Sequence, residues 1–403
     1  MFIIINAMAW LTTAQAAHRL GVKPETLYAY ASRGVLPSHR SPDGRGSRFD
    51  AHDVEALALR GRPRLASRPV AMEIRIETAI TQIDDHTIRY RGHDALALAT
   101  TATFEQVAEL LWTGSLPAMT RSWPSEGNPP IADVARAVDR LRLAATLAAI
   151  GAAHGRDHAT VAAEGRRLIV RMVEASSPAG DGRCPRLQLA DGAPMRGTIA
   201  GRLWARLTPR RATPALLATL NAALVLLADH EMAASTLAAR VAASTRADAH
   251  GVVAAGMGAL SGPLHGGESE RCRRLLGRAA SAPLGDVVDA ALERYGRLPG
   301  FGQVLYSRGD PRAALLLTML REAGPHPAID LCDRLAAAAR RRALPLPNVD
   351  LALACLGVVA GMPPDAGEAI FTPARVVGWL AHALEEYDER PLRFRPRAEY
   401  VGD

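Results

Sequence analysis

Residues 258–270 read GALSGPLHGGESE, with a single histidine, His265, set between Pro263-Leu264 and Gly266-Gly267. Glycine has no Cβ, so the backbone on either side of such a histidine can come close to a ligand and take up conformations that other residues resist. Taken alone, the stretch has a plainer reading: a glycine-rich helix stop after an apolar run, with the histidine half exposed beside it. The surrounding chain has to decide between the two.

Of the 403 residues, 48% are hydrophobic but only 4% aromatic. Alanine and leucine dominate the apolar set, and strands draw instead on β-branched and aromatic side chains, so an all-α fold is expected. The length allows more than one domain. The formal charge is +7, and the excess is arginine rather than lysine-rich tails. The planar fork of arginine suits phosphate and carboxylate, which points to nucleic acid, an anionic co-substrate, or both.

Cys184, Cys272, Cys332 and Cys355 are scattered, with no Cys-x-x-Cys pair. Neither a zinc site nor a disulfide framework is expected, which fits a reducing compartment. The opening MFIIINAMAW lacks the basic n-region of a signal peptide and its apolar run is short, so a cytoplasmic protein is expected. The most apolar segment, PALLATLNAALVLLA at 214–228, falls short of the roughly 20 residues needed to cross a bilayer. It reads as a buried core helix, and no membrane partner is expected.

The first sixty residues read separately from the rest. LTTAQAAHRLGVKPETLYAYASRGVLP offers a capping Thr12, an apolar face through Ala16, Ala17 and Leu20, a break at Gly21, and a second helix from Pro24 to about Arg33. That is a helix-turn-helix, whose second helix would be the one to enter a DNA major groove. In PSHRSPDGRGSRFDAHDVEAL, Asp43-Gly44 makes a tight turn of a short basic wing, and a further helix starts near Ala51. Lys23, Thr26, Tyr28 and Tyr30 are the candidates for the groove, with Arg45 and Arg48 on phosphates. The segment resembles the winged helix-turn-helix of mercury-resistance regulators and phage excisionases. That resemblance implies contact with DNA, and leaves open a winged helix kept for protein docking. GRPRLASRPV follows without periodicity, so a module at 1–60 and a linker at 61–72 are expected.

Beyond the linker, polar residues recur inside apolar runs. A short alternating stretch around Asp84-Asp85 reads as a hairpin leading to a helix that begins near Thr103. In LLADHE an apolar helix is interrupted by Asp229, His230 and Glu231, and a charged trio in such a run is costly unless it lines a cavity or is paired. GFGQVLYSRGDPRA carries Gln303 and Arg312, PNVD ends in Asp350 at the head of an apolar helix, and ARVVGWLAH contains Arg375. In isolation, an aspartate at a helix start is a cap and an arginine in an apolar stripe snorkels to solvent.

The order of these motifs is more specific than any one of them. RYRGH, LLADHE, GPLHGG, GFG-x-x-x-Y, GDPRA, PNVD, ARVVGWLAH and RPRAEYVG, spread from Ile74 to Tyr400, together resemble the citrate synthase family. The resemblance implies an almost wholly helical domain at 73–403. Its smaller subdomain, at roughly 256–352, would close over substrate in an obligate homodimer. It implies acetyl-CoA or another acyl-CoA as co-substrate, a 2-oxo dicarboxylate such as oxaloacetate as acceptor, and no permanently bound cofactor or metal.

By motif, the resemblance makes Asp350 the base that removes the thioester α-proton and His265 the donor to the forming enol oxygen, with Gly266 and Gly267 giving the thioester room. His230, Arg312 and Arg375 would hold the dicarboxylate, joined by Arg395 from the partner subunit. Arg340, Arg341 and Arg342 would lie near the phosphates of CoA; the bland alternative is a helix end that favours positive charge.

One position departs from the family pattern. Gln303 stands where the family has the histidine that polarises the acceptor ketone and protonates the alkoxide, and Val304 where it has an arginine. A glutamine amide can donate a hydrogen bond but cannot deliver a proton at neutral pH. Three readings follow: a slow or altered acyltransferase, a regulator in which the synthase domain senses a metabolite, and a metabolic enzyme that carries a docking module.

Overall fold

The computed structural model describes residues 10–41, 46–59, 75–84, 87–119, 122–125, 131, 134–176, 197–306 and 308–402. In the first part, β1 (Trp10–Thr12), α1 (Thr13–Leu20), α2 (Pro24–Ser32), β2 (His39–Arg40), β3 (Ser47–Asp50) and α3 (Ala51–Leu59) follow one another. The expected cap is present: Thr12 closes a capping box with Gln15, and Gly21 ends α1 in the left-handed conformation. β2 and β3 pair antiparallel as a wing, and β1 adds to the other edge of β3. Ala16, Leu27, Tyr30, Leu36, Phe49, Val54 and Leu57 form a core of their own, separate from that of the rest of the chain.

The second part begins with a small antiparallel sheet, β4 (Thr81–Ile83), β5 (Ile88–Tyr90) and β6 (His93–Asp94). The hairpin pairs Thr81 with Tyr90. Between it and the helix expected from Thr103, the chain inserts α4 (Ala95–Thr101), which Asp94 caps by accepting from the amides of Leu96 and Ala97. Thr103 then caps α5 (Phe104–Thr113), again with a capping box.

The remaining elements are helices: α6 (Ala137–Ala148), α7 (His158–Ala175), α8 (Ile199–Leu207), α9 (Pro214–Leu227), α10 (Ala234–Ser244), α11 (Ala249–Leu260), α12 (Glu268–Ala279), α13 (Leu284–Tyr295), α14 (Pro311–Glu322), α15 (Pro327–Arg341), α16 (Val349–Val359) and α17 (Ala366–Asp388). The all-α expectation holds, since outside two three-stranded sheets the described residues are helical or in connections. No helix among the described residues is long and apolar enough to cross a membrane.

The axis of the fold is α17, buried along nearly its whole length. It packs against α5, α6, α7, α9, α10, α11, α12 and α16. Its approach to α9 is set by Gly378, whose N–H donates to the carbonyl of Ala228 at 2.9 Å. A Cβ at Gly378 would lie 2.3 Å from Asp229 Oδ1, so only glycine lets the two helices come this close. That contact fixes Arg375, one turn earlier on α17, against the end of α9.

The polar trio Asp229-His230-Glu231 interrupts the helical run, as expected. α9 stops at Leu227 and α10 starts at Ala234, and Glu231 between them has a φ of +55°. Burying these three within a continuous helix would leave them unpaired. The chain instead breaks and points Asp229 and His230 inward, where partners await them.

Candidate active site

The end of α9, the turn before α12, the loop before α14, the head of α16 and the middle of α17 converge on one region. His230 and Arg375 come from the first and last of these, His265 from the second, Gln303 from the third with Arg312 just beyond it in the first turn of α14, and Asp350 from the fourth. Six of the residues singled out in the sequence are thus brought to one place by elements far apart in the chain.

His230 is buried, and its Nε2 lies 2.8 Å from the hydroxyl of Tyr306. Burial first, and then the cations of Arg312 and Arg375, hold its pKa well below the ordinary histidine value. His265 is half-buried, with Nε2 2.9 Å from Ser235 Oγ and its ring edge-on to Phe371. Burial and then Arg375 bring it down to about 4. Both imidazoles are therefore neutral at pH 7 and able to act as hydrogen-bond donors without being acids.

Arg312 is clamped: Nε and Nη2 reach the two carboxylate oxygens of Asp310, each at 2.9 Å. Asp310 also accepts from the backbone N–H of Arg312 and from that of Val349, at 3.0 Å each. One buried aspartate thereby joins the start of α14 to the start of α16. Arg375 is only 1% exposed, yet among the described residues no carboxylate pairs with it. Its Nε donates to the carbonyl of Leu227 at 2.8 Å, and its guanidinium stacks over Phe371. Burial pulls its pKa down to about 10; the charge of Asp229 opposes this and Arg312 adds to it. It does not snorkel to solvent as an isolated arginine in an apolar stripe would.

Asp350 is not the cap of its helix. Asn348 occupies that position and accepts from the Asp350 N–H at 3.0 Å, while its Nδ2 donates to the carbonyl of Gly302 at 2.9 Å. The Asp350 carboxylate is left for other work. Burial, and then the charge of Glu268, push it up to about 7.

The glycines beside His265 serve packing more than backbone freedom, because neither has a positive φ. Gly266 N–H donates to the Leu260 carbonyl at 2.8 Å, and a Cβ there would lie 2.7 Å from that oxygen. The unusual backbone sits elsewhere, at Gly300 and Gly302, with φ of +80° and +88°. Gln303 is half-buried behind them, while Val304 is 74% exposed.

Other expectations fare differently. Arg395 is exposed on the C-terminal segment and does not reach this region within its own chain. Arg340 and Arg341 are exposed at the end of α15. Arg340, with Arg308, borders a cavity of about 630 Å³ between α14 and α15. Arg342 has to be set apart from them, because its guanidinium is engaged by both carboxylate oxygens of Asp289 on α13.

In the N-terminal module, Lys23 is exposed, Thr26 half-exposed and Tyr28 49% exposed on α2. Tyr30 is a correction: at 6% exposure it belongs to the module's core and cannot face a groove. Arg48 lies over the ring of Trp10, which meets His39 edge-on. Arg45 and the Asp43-Gly44 turn lie outside the described residues.

Ser235, Asp310, Asn348 and Glu268 were not identified as site residues from the sequence. Asp310 and Asn348 stand within quoted motifs, so their nearness to Arg312 and Asp350 was a usable signal. Nothing local marks Ser235 or Glu268, whose partners lie on other elements.

Comparison with known proteins agrees with this geometry. The family profile "Citrate synthase, C-terminal domain" matches residues 72–397, and a "Helix-turn-helix domain" profile matches residues 10–62. Citrate synthase 2 of Bacillus subtilis is 29% identical over 366 residues, covering 84% of this chain and 96% of that protein. The crystal structure of citrate synthase from Thermotoga maritima superposes with a TM-score of 0.66 at 26% identity, covering 83% of this chain and 94% of the other. The citrate synthase of Thermoplasma acidophilum, described as a ternary complex with carboxymethyl coenzyme A and oxaloacetate, gives a TM-score of 0.65 at 24% identity over 83% of this chain and 95% of that one. The chain belongs to the citrate synthase family and carries a helix-turn-helix domain at its front.

Proposed function

We propose that the protein is an acyltransferase that condenses an acyl-CoA, acetyl-CoA in the first instance, with a 2-oxo dicarboxylate such as oxaloacetate. The observation that carries this reading is Arg375, a buried guanidinium that no carboxylate among the described residues pairs with directly, beside two neutral histidines and a carboxylate raised to about 7. A buried cation of this kind is costly unless an anion completes it. A dicarboxylate brought in by the substrate is the natural counterion.

In this reading Asp350 takes the α-proton of the thioester, and its raised pKa makes it a stronger base than a solvated carboxylate. His265 donates a hydrogen bond to the enol oxygen from the ring nitrogen that Ser235 does not occupy, stabilising charge as it develops. The carbanion equivalent attacks the ketone carbon, forming the carbon–carbon bond and an alkoxide. The alkoxide would be stabilised by Arg312, Arg375 and the Gln303 amide, and protonated by solvent in the absence of the family histidine. Hydrolysis of the thioester then frees CoA.

The same proposal includes a homodimer in which Arg395 reaches the partner's site. Its segment is anchored by Arg393, which donates to both oxygens of Glu386, and by Leu392 N–H on the Ser244 carbonyl at 2.9 Å. It also places CoA phosphates over Arg308, Arg340 and Arg341, and assigns domain closure to residues 256–352. Release of free CoA from acetyl-CoA and oxaloacetate, abolished in Asp350→Ala, tests the whole. No release across a panel of 2-oxo acids would turn the reading down.

A second reading has its own support in the N-terminal module, which has a separate core and presents Lys23 at the N-cap of α2, Tyr28 on α2 and Arg48 on the wing. The protein would then bind DNA as a dimer, with dicarboxylate or acyl-CoA shifting the spacing of the two modules. Sequence-dependent binding to its own upstream DNA that weakens with salt is the expected result. Binding that ignores sequence would instead favour a docking module.

A further inference from the structure

Glu268 is the first residue of α12, three positions beyond His265, and it is buried. Its carboxylate receives Arg297 end-on, Nη1 to Oε1 at 2.7 Å and Nη2 to Oε2 at 2.6 Å, and accepts the N–H of Gly300 at 3.2 Å. Arg271 approaches Oε2 at 3.4 Å. The backbone N–H of Glu268 donates to the carbonyl of His265, also at 3.2 Å.

One residue thus holds both the turn of His265 and the loop of Gln303. From Gly300 the chain of contacts continues: the Gly300 carbonyl accepts from Asn348 N–H at 2.8 Å, and Asn348 Oδ1 receives the N–H of Asp350. There is no slack in this loop. A Cβ at Gly300 would meet Cys272 Sγ at 2.8 Å and Leu351 Cβ at 3.0 Å.

We infer that Glu268 is a positioning residue for the condensation: through Arg297 and Gly300 it locks the Gln303 loop against His265 and sets a second negative charge beside Asp350. This rests on Asp350 being the base. The charged and titratable groups facing Asp350 are Glu268 and Cys272 from α12, Arg297 from the turn before Gly300, and Asp310 and Arg312 from the head of α14. After burial, Glu268 is the largest influence raising Asp350, and Arg312 and Arg297 oppose it. Because Arg297 and Arg312 oppose Glu268, the acid strengthens the base while Asp350 still titrates at about 7.

The test is an infrared pH titration of the Asp350 carboxyl band in the full-length protein, the band being identified by its loss in Asp350→Asn. This readout needs no turnover, so it separates the present inference from the proposed reaction, which is judged by CoA release in Asp350→Ala. Glu268→Gln keeps an acceptor for Gly300 and removes the charge. The Asp350 band is expected to titrate at lower pH in this variant, and near the natural value in Glu268→Asp. Arg297→Gln, a second variant should the first fail to fold, leaves Glu268 without its counter-charge and should move the band to higher pH. An Asp350 band that titrates at the natural pH in either Glu268→Gln or Arg297→Gln overturns the inference.

Discussion

Asn348, not Asp350, caps α16: its Oδ1 accepts the N–H of Asp350 at 3.0 Å, which leaves the Asp350 carboxylate unspent on the helix. An aspartate two residues into a helix, with the cap already filled, is available for chemistry. Asp350→Asn should therefore lower CoA release by at least the roughly 10²–10⁴-fold typical of losing a general base, with helix content unchanged by circular dichroism.

The pH profile follows from the same carboxyl. A base must be deprotonated, and Asp350 titrates at about 7, so kcat/KM should rise with pH through that value. His265, held to about 4, stays neutral across the range and should add no limb between pH 5 and 9. A profile flat through pH 7 would point to another base.

Stability should respond in the opposite sense. A carboxyl whose folded-state pKa is raised above its unfolded value favours the folded state fully only below the unfolded pKa, and that contribution is lost as pH rises through about 7. The melting temperature of Asp350→Asn relative to the natural protein should then climb between pH 5 and pH 8. Equal differences at both pH values would show that the carboxyl is not strained by its site.

Arg375 makes one hydrogen bond to the Leu227 carbonyl and pairs with no carboxylate among the described residues. Arg375→Met should weaken dicarboxylate binding by roughly 10- to 200-fold, the worth of a charge-assisted pair. Because the cost of burial outweighs the attraction of Asp229 at Arg375, the unliganded variant should melt no lower than the natural protein. Calorimetric titration with oxaloacetate and a thermal melt give the two readings.

Gln303 is half-buried on a loop whose Gly300 and Gly302 have positive φ. If turnover is limited by proton delivery to the alkoxide, Gln303→His should raise kcat, with a ceiling near 10²–10⁴-fold. A kcat unchanged by the substitution, with CoA release still lost in Asp350→Ala, would place the slow step elsewhere.

Much of this was legible in the chain. The winged module followed from Thr12, Gly21, Pro24 and Ala51, because caps, turns and amphipathic faces are local and each is written in a few consecutive residues. His265, His230, Asp350, Arg312 and Arg375 were found by motif, because the residues that do chemistry sit in short runs of fixed order. Tertiary structure decided what those runs mean. Tyr30 was lost to the module's core and Arg342 to Asp289, contacts made with residues distant in sequence. Asp229 and His230 proved to stand in a break between helices, since their partners Thr81, His382 and Tyr306 come from three other elements. Ser235 and Glu268 gain their roles only when α10 and α12 are brought against His265 and the Gly300 loop. A pKa or an ion pair depends on distance through space and on burial, and neither is a property of any stretch of sequence until the helices have packed.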